Sequence, residues 1–325
     1  MSNLITIFIP TFNRSKAVVQ LLDEIASSSL INFIKVVVMD DGSSDDTYAR
    51  LISRKYGKKI TISRNKNNIG SAKGFLNFVQ TCQTDYFMYM ADDDKLKDDG
   101  IMELIPFLSN TKPDLVVTAW GCWDDDVLWK DTMRTINSNE KVKFKDIRVA
   151  MNHPPGVVFK TSEVAKHISI MRDRIENDCY ATTMYPMVVL ALLLAFSKNN
   201  CWWFKEVVGG YGPNGALPSN LYDNEGNTWD TLHGKWKEQK AFDEVYIYIY
   251  ETTRYKWKEK ALQLSIMHNL EFFSRIEQGI QSEKPELTNY FLMASAVKFL
   301  RNPGLYFRSV IKYLTLSYKF KNYMK

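Results

Sequence analysis

The sequence is short of several things. Cysteine occurs four times in 325 residues, at Cys82, Cys122, Cys179 and Cys201. No two form a C-x-x-C pair, so neither a zinc site nor a disulfide framework is indicated, and scattered thiols fit a reducing cytoplasm. Long hydrophobic runs are lacking too. The longest, Met187 to Phe196, falls well short of the roughly 20 residues a membrane-crossing helix needs. The first residues carry no basic cluster and enter an apolar strand directly, unlike a signal peptide. The expectation is a cytoplasmic protein, soluble or held on the inner face of the plasma membrane. No G-x-G-x-x-G follows the first apolar run, which disfavours a dinucleotide-binding dehydrogenase. A net charge of +5 is too mild to suggest a nucleic-acid partner. Acidic residues disappear after Glu286, whereas Lys298, Arg301, Arg308, Lys312, Lys319, Lys321 and Lys325 follow. A basic end of this kind suits an anionic partner or simple solubility.

What is present alternates between two periods over the first 120 residues. Apolar runs at Leu4–Ile9, Phe33–Met39, Lys59–Ser63, Tyr86–Met90 and Leu115–Ala119 read as strands. Helical patterns lie between them, from Ser15, at Asp45–Tyr56, at Ser71–Thr81 and at Asp98–Leu108. Strands alternating with helices predict βαβ units and a mainly parallel sheet, an α/β fold. Ligands in such sheets bind at the carboxyl ends of the strands. The polar clusters fall there: Thr11 and Asn13, then Asp40–Ser43, then Asp92–Asp94. Further on, Val157–Phe159 and Trp202–Val208 read as strands and Met187–Phe196 as a buried helix. Gly209 to Asn227 is rich in Gly, Pro and Asn and reads as a loop. Residues 241–280 and 286–320 look helical.

Asp92-Asp93-Asp94 is the sharpest chemical signal. Carboxylates clustered at a strand end repel one another unless a cation sits among them. Mg²⁺ and Mn²⁺ prefer oxygen ligands and commonly bridge a carboxylate to a diphosphate. A solvated acidic turn is the bland alternative. Asp124-Asp125-Asp126 offers a control: it follows no parallel-type strand and reads as a hairpin turn. Asp40-Asp41-Gly42-Ser43-Ser44-Asp45 would pass alone for strand–turn–helix punctuation. It gains meaning from the second acidic cluster two strands later in the same sheet.

Taken together, Ile9-Pro10-Thr11-Phe12-Asn13-Arg14, Val38-Met39-Asp40-Asp41-Gly42-Ser43-Ser44-Asp45, Asn68-Ile69-Gly70-Ser71-Ala72 and Met90-Ala91-Asp92-Asp93-Asp94 resemble the GT-A-fold family 2 glycosyltransferases in order and spacing. The resemblance is strong over 1–120, thin to about 230 and absent beyond. It implies a GT-A catalytic domain over 1–230, with 1–120 holding the nucleotide and 121–230 facing the acceptor, and a helical C-terminal region over 231–325. It implies inverting transfer from a nucleotide-sugar, usually a UDP-sugar, to a saccharide or lipid-linked acceptor in bacterial polysaccharide or glycolipid assembly. Thr11 and Asp41 match positions that hold the base, with Asn13, Asp40 and Asp92 beside them. Asp92–Asp94 match the DxD segment that binds Mn²⁺ or Mg²⁺, Asp93 first, then Asp94 and Asp92. The commoner family pattern is Asp-x-Asp-Asp, and here its first place is Met90. Arg64 and Lys73 could reach the base or the diphosphate.

An inverting displacement also needs a general base at the acceptor. Many relatives carry a Glu-Asp pair before the buried helix near 190, where this chain reads Met184-Tyr185-Pro186-Met187. The nearest acids are Asp178 and Glu176, with His153 a weaker candidate. Among the aromatics of the acceptor half, Trp120, Trp123, Trp129, Trp202, Trp203, Tyr211 and Trp229, Tyr211 is the best candidate for stacking on a sugar. The basic, aromatic stretch 304–320 suits a bilayer interface. Two other classes stay open: a nucleotidyltransferase, although no Gly- and Arg-rich phosphate loop follows strand one, and an inactive domain that binds nucleotide or scaffolds an assembly.

Overall fold

The computed structural model describes residues 4–124, 127–142, 154–177, 179, 182–183, 185–197, 200–211 and 232–252, together with 259, 261–263, 265–267, 269–270, 293 and 295–311. It divides into two compact units, Met1–Pro218 and Ser219–Lys325.

The first unit is α/β. Its elements run β1 (Ile5–Thr11), α1 (Ser15–Ser27), β2 (Lys35–Asp40), α2 (Thr47–Ser53), β3 (Ile60–Arg64), α3 (Ser71–Thr81), β4 (Tyr86–Tyr89), β5 (Asp94–Leu96), α4 (Asp98–Thr111), β6 (Leu115–Asp124), β7 (Val127–Arg134), β8 (Val157–Lys160), α5 (Thr161–Ala165), α6 (Ile168–Glu176), α7 (Pro186–Ser197) and β9 (Cys201–Tyr211). One sheet holds all nine strands in the order β3-β2-β1-β4-β8-β6-β9-β5, with β7 paired to β6. The first four in this order are parallel, as the βαβ pattern requires. β8 then runs antiparallel between β4 and β6, and β6 and β9 are parallel again. The fold is the GT-A type expected from the sequence, with the parallel rule holding over its first half.

β1 shows why a continuous apolar strand is needed at the centre. Ile5, Ile7 and Ile9 join the core formed with Val18, Leu22 and Ile25 of α1 and Ile101 and Leu104 of α4. Phe8 points the other way and stacks on Phe78 of α3 at 4.1 Å between ring centroids. Phe75, Phe87 and Phe159 complete that aromatic layer. α7 is apolar on all sides because it is buried on all sides, every residue from Met187 to Phe196 being buried.

The pairing brings the polar strand ends into one row. Thr11 lies opposite Asp40, and Asp40 opposite Arg64. Asp94 opens β5 and pairs with Tyr211 at the end of β9. β6 runs five residues past the expected Ala119, and Asp124 pairs with Val127, so this acidic stretch is flanked by the two arms of a hairpin. Asp125 and Asp126 themselves lie outside the described residues.

The second unit is helical among its described residues, with α8 (Leu232–Thr252) and helical turns at 295–301 and 303–311. Leu262, Ile266 and Leu305 form its small apolar cluster. Lys298 is buried there, 2.8 Å from Asp243, which also accepts a hydrogen bond from Ser265.

Candidate functional site

The strand ends assemble an acidic site with its own cation. β4 stops at Tyr89, Met90 drops fully into the core, and Asp92 and Asp93 turn back beside the end of β1. Thr11 Oγ1 donates to Asp92 Oδ2 at 2.7 Å. Arg14, on the turn that enters α1, places Nη1 3.0 Å from Asp92 Oδ1 and Nη2 on Asp93 Oδ2. Asp94 accepts the Ala91 N–H at 2.9 Å through Oδ2, while its Oδ1 is buried without a hydrogen-bond partner.

The electrostatics follow from burial. Desolvation lifts the Asp92 carboxyl to about 6, although Arg14 and the Thr11 hydroxyl pull it down. Desolvation also raises Asp94 well above the usual carboxylate range, the Ala91 N–H opposing and the charges of Asp93 and Asp92 adding to it. Burial opposes the Arg14 charge, but Asp92, Asp93 and Asp94 outweigh it and hold the guanidinium more firmly protonated than usual. One monocation therefore sits against three carboxylates.

The second acidic turn is rigid. Asp40 accepts the Ser43 N–H at 3.1 Å and faces Arg64 Nε at 3.2 Å. Arg64 also donates to the Ser43 carbonyl at 2.7 Å and covers the Tyr48 ring. Asp41 accepts from Asn65 Nδ2 and from the N–H groups of Ile69 and Gly70, at 2.7, 3.0 and 2.9 Å. Gly42 has φ +73°, and a Cβ there would lie 2.6 Å from the carbonyl carbon of Asn67. Only glycine lets this turn lie against the 67–70 loop. Asn13, itself at φ 53°, receives the Ser44 N–H at 2.8 Å on Oδ1.

Among the expected site residues, Thr11 is thus in direct contact with Asp92, and Asp92 is joined to Asp93 by Arg14, which pattern reading passed over. Asn13, Asp40, Asp41 and Arg64 form the adjoining turn network. Lys73 is exposed in the first turn of α3. Glu176 is exposed at the last turn of α6. Asp178, His153 and Trp229 lie outside the described residues, as does most of the glycine-rich stretch after Tyr211. Tyr211 is the last residue of β9, in sheet register with Asp94 and Cys122, and so belongs to a strand rather than a loop. Trp120 is wholly buried core, and Lys95 lies over the Trp123 ring. Buried Arg134 was also missed: it donates to the carbonyls of Thr118 and Pro155 at 2.5 and 2.9 Å, tying β7 to the approach to β8.

The carboxylates offer oxygen-only donors, which suits Mg²⁺ or Mn²⁺. Among the described residues no three His, Cys, Asp or Glu side chains already converge as a cage. Mg²⁺ bound with a phosphate substrate needs only one or two carboxylates, so Asp93, about one-tenth exposed at the margin of this cluster, and the orphaned Asp94 oxygen fit that mode. A cleft of about 890 Å³ lies at the opposite, amino ends of β1 and β4, lined by Leu4, Cys82, Thr84 and Lys160. In open α/β sheets ligands bind at the carboxyl ends of the strands, which here is the acidic end instead.

Residues 6–164 match the family described as glycosyl transferase family 2. Abequosyltransferase RfbV of Salmonella typhimurium is 30% identical over 110 residues, 33% of this chain and 33% of that protein. Chondroitin synthase of Escherichia coli is 34% identical over 101 residues, 30% of this chain and 14% of that one. The chain therefore spans a third or less of the length of these curated relatives. The crystal structure of S. aureus TarS 1–349 superposes with a TM-score of 0.64 at 12% identity, covering 98% of this chain and 91% of that one. The same TarS segment in complex with UDP-GlcNAc gives 0.62 at 14% identity, with the same coverage. With its motifs at the carboxyl edge of the sheet, the stretch from β1 into α5, residues 6–164, matches glycosyl transferase family 2.

Proposed function

We propose that this protein is an inverting glycosyltransferase that moves a sugar from a nucleoside-diphosphate donor, a UDP-sugar, to an acceptor hydroxyl in bacterial polysaccharide or glycolipid assembly. The observation that carries this reading is the convergence of Thr11, Arg14, Asp92 and Asp93 at the ends of β1 and β4, beside the Asp40–Ser43 turn. Residues 1–120 would hold the nucleotide, and 121–230 would face the acceptor. RfbV and chondroitin synthase are named for sugar transfer and polysaccharide synthesis, and TarS was crystallised with UDP-GlcNAc, which supports the class of donor and product.

In this reading Thr11 and Asp41 flank the base, and Asp93, with Asp92 or Asp94, carries the divalent ion. Mn²⁺ or Mg²⁺ bound there would neutralise charge on the leaving diphosphate. The protein orients the donor at a rigid turn, so no reorganisation accompanies charge development. A carboxylate, Asp178 or Glu176, takes the proton from the acceptor hydroxyl as its oxygen attacks the anomeric carbon from the face opposite the nucleotide.

The direct experiment incubates the purified protein with a panel of UDP-, GDP- and dTDP-sugars and Mn²⁺. Release of nucleoside diphosphate from one donor, slow alone and faster with a saccharide acceptor, is expected. Binding without any release would favour an inactive nucleotide-binding domain. Release of pyrophosphate from a nucleoside triphosphate and sugar phosphate would favour a nucleotidyltransferase.

A further inference from the structure

We propose that the outward face of residues 293–311 is a docking surface for an anionic lipid bilayer. This stretch is turned inside out. Its inward positions are Ser295, Lys298, Leu305 and Ser309, all at least nine-tenths buried, and three of the four are polar. Its outward positions include Met293, Val297, Leu300, Phe307 and Ile311, with 71, 50, 77, 60 and 64% of their surface exposed. Val297 and Leu300 are three apart on the turns at 295–301, and Phe307 and Ile311 are four apart on the turns at 303–311, so each pair shares one helical side. A helix answering only to water would bury its leucine, isoleucine and phenylalanine and expose its lysine.

The orientation is fixed from inside. Lys298 is held by Asp243 at 2.8 Å. Asn269 donates to Ser295 at 2.9 Å, and Ser309 to the Leu305 carbonyl at 2.8 Å. Asn302 caps the turn at Pro303 by accepting the Leu305 N–H at 3.0 Å. Rolling these turns to hide their apolar side would take Lys298 from Asp243 and Ser295 from Asn269, leaving a buried carboxylate and a buried amide without those partners. The exposed apolar face is therefore built in.

Charge chooses the occupant. Arg308 is exposed on the same stretch, Arg301 near it is paired with Glu251 at 3.0 Å, and beyond Arg308 the sequence adds Lys312, Lys319, Lys321 and Lys325 with no acidic residue. A second copy laid on this face would set these cations against each other. A bilayer bearing anionic headgroups meets them with opposite charge and takes up the apolar side chains. Phe299, Tyr306 and Phe307 form an edge-to-face cluster, centroids 5.7 to 6.3 Å apart, in which Tyr306 has the apolar ring and polar tip that suit headgroup depth. No described helix is long and apolar enough to cross a membrane, so contact is along the surface.

The test uses the full chain in vesicle co-sedimentation at low salt. Phosphatidylglycerol-containing vesicles are compared with pure phosphatidylcholine, and wild type with Leu300→Gln/Phe307→Gln. Wild type should pellet with the anionic vesicles and stay in solution with the neutral ones. The double variant should bind the anionic vesicles at least tenfold more weakly with an unchanged thermal midpoint. Leu300→Gln alone, at the most exposed position, should lose part of the binding and serves if the pair disturbs folding. Wild type remaining in the supernatant with both vesicles overturns the proposal. So does equal binding by the variants, which would leave only the basic residues at work. So does a concentration-dependent dimer in analytical ultracentrifugation that the substitutions abolish, since a second copy would then cover the face. None of these readouts depends on sugar transfer.

Discussion

At the residue scale the acidic turn makes two demands that can be measured apart. Asp93 keeps a side chain at the margin of the cluster, about one-tenth exposed, and contributes little packing. Asp93→Ala should abolish nucleoside diphosphate release while circular dichroism stays that of the wild type; full activity in this variant, or in excess EDTA, would remove the metal assignment. Asp92 speaks through pH. Its folded carboxyl titrates near 6, above the ordinary 3.8, because burial disfavours the charge. The folded state thus holds this proton more tightly than the unfolded chain. Stability from this group is complete below about pH 4 and is lost as pH rises through 6. Urea unfolding in EDTA at pH 4.5 and 7.5 should show Asp92→Asn gaining on wild type by about 2–3 kcal/mol at the higher pH, from a shift of about two units. A gap independent of pH would show that the charge is not held at a cost. The three aspartates were legible because carboxylates in a row after an apolar run are uncommon. Arg14 was not, since a single cation after a strand has no signature until β1 and β4 lie side by side.

At the element scale, legibility followed length. α3 is found at its expected bounds, and α7 within a residue of them, because each carries several turns of pattern. β5 has only Asp94-Lys95-Leu96, too few residues to alternate, and is a strand because β9 supplies its hydrogen bonds. β7 was not among the expected strands, since its charged and aromatic residues give no clean alternation, although the turn before it was anticipated. The packing of α4 on β9 offers the cleanest test of contact. A Cβ on Gly100 would come within 2.0 Å of the Val207 carbonyl oxygen. Gly100 is in the first turn of α4, and its neighbours are backbone that cannot swing aside. Gly100→Ala should cost about 1–3 kcal/mol, the usual range for overpacking, despite alanine's better helix propensity. Urea titration reads this directly, and a neutral or stabilising result would mean that α4 sits further from β9.

At the scale of the whole molecule, the alternation of strand and helix was enough for the parallel half of the sheet. The insertion of antiparallel β8 between β4 and β6 was not legible, because that choice rests on pairing between residues some seventy apart, as between Tyr86 and Lys160. Two compact units also make a thermodynamic prediction. Calorimetry should show two transitions, and a nucleotide-sugar at a hundred times its Kd, with Mn²⁺, should raise only the one belonging to residues 1–218. Stabilisation of about 2.7 kcal/mol is expected, or about 5–10 °C for a unit of this size. A single transition moving as a whole would show that the units unfold together.

The chain goes from Tyr89 to Asp94 in five steps, yet β4 and β5 are separated by β8, β6 and β9 in the order of the sheet. Five residue steps reach about 18 Å at full stretch, and the Asp94 N–H turning back to the Ala91 carbonyl shortens that. Four strand spacings in a flat sheet would need about 19 Å. The sheet therefore has to roll until its last strand returns toward its middle. The acidic turn is the clasp of that roll. Its carboxylates sit where the last strand meets the middle of the sheet, tied by backbone to both, so a ligand bound there would be held by a seam rather than by a surface loop.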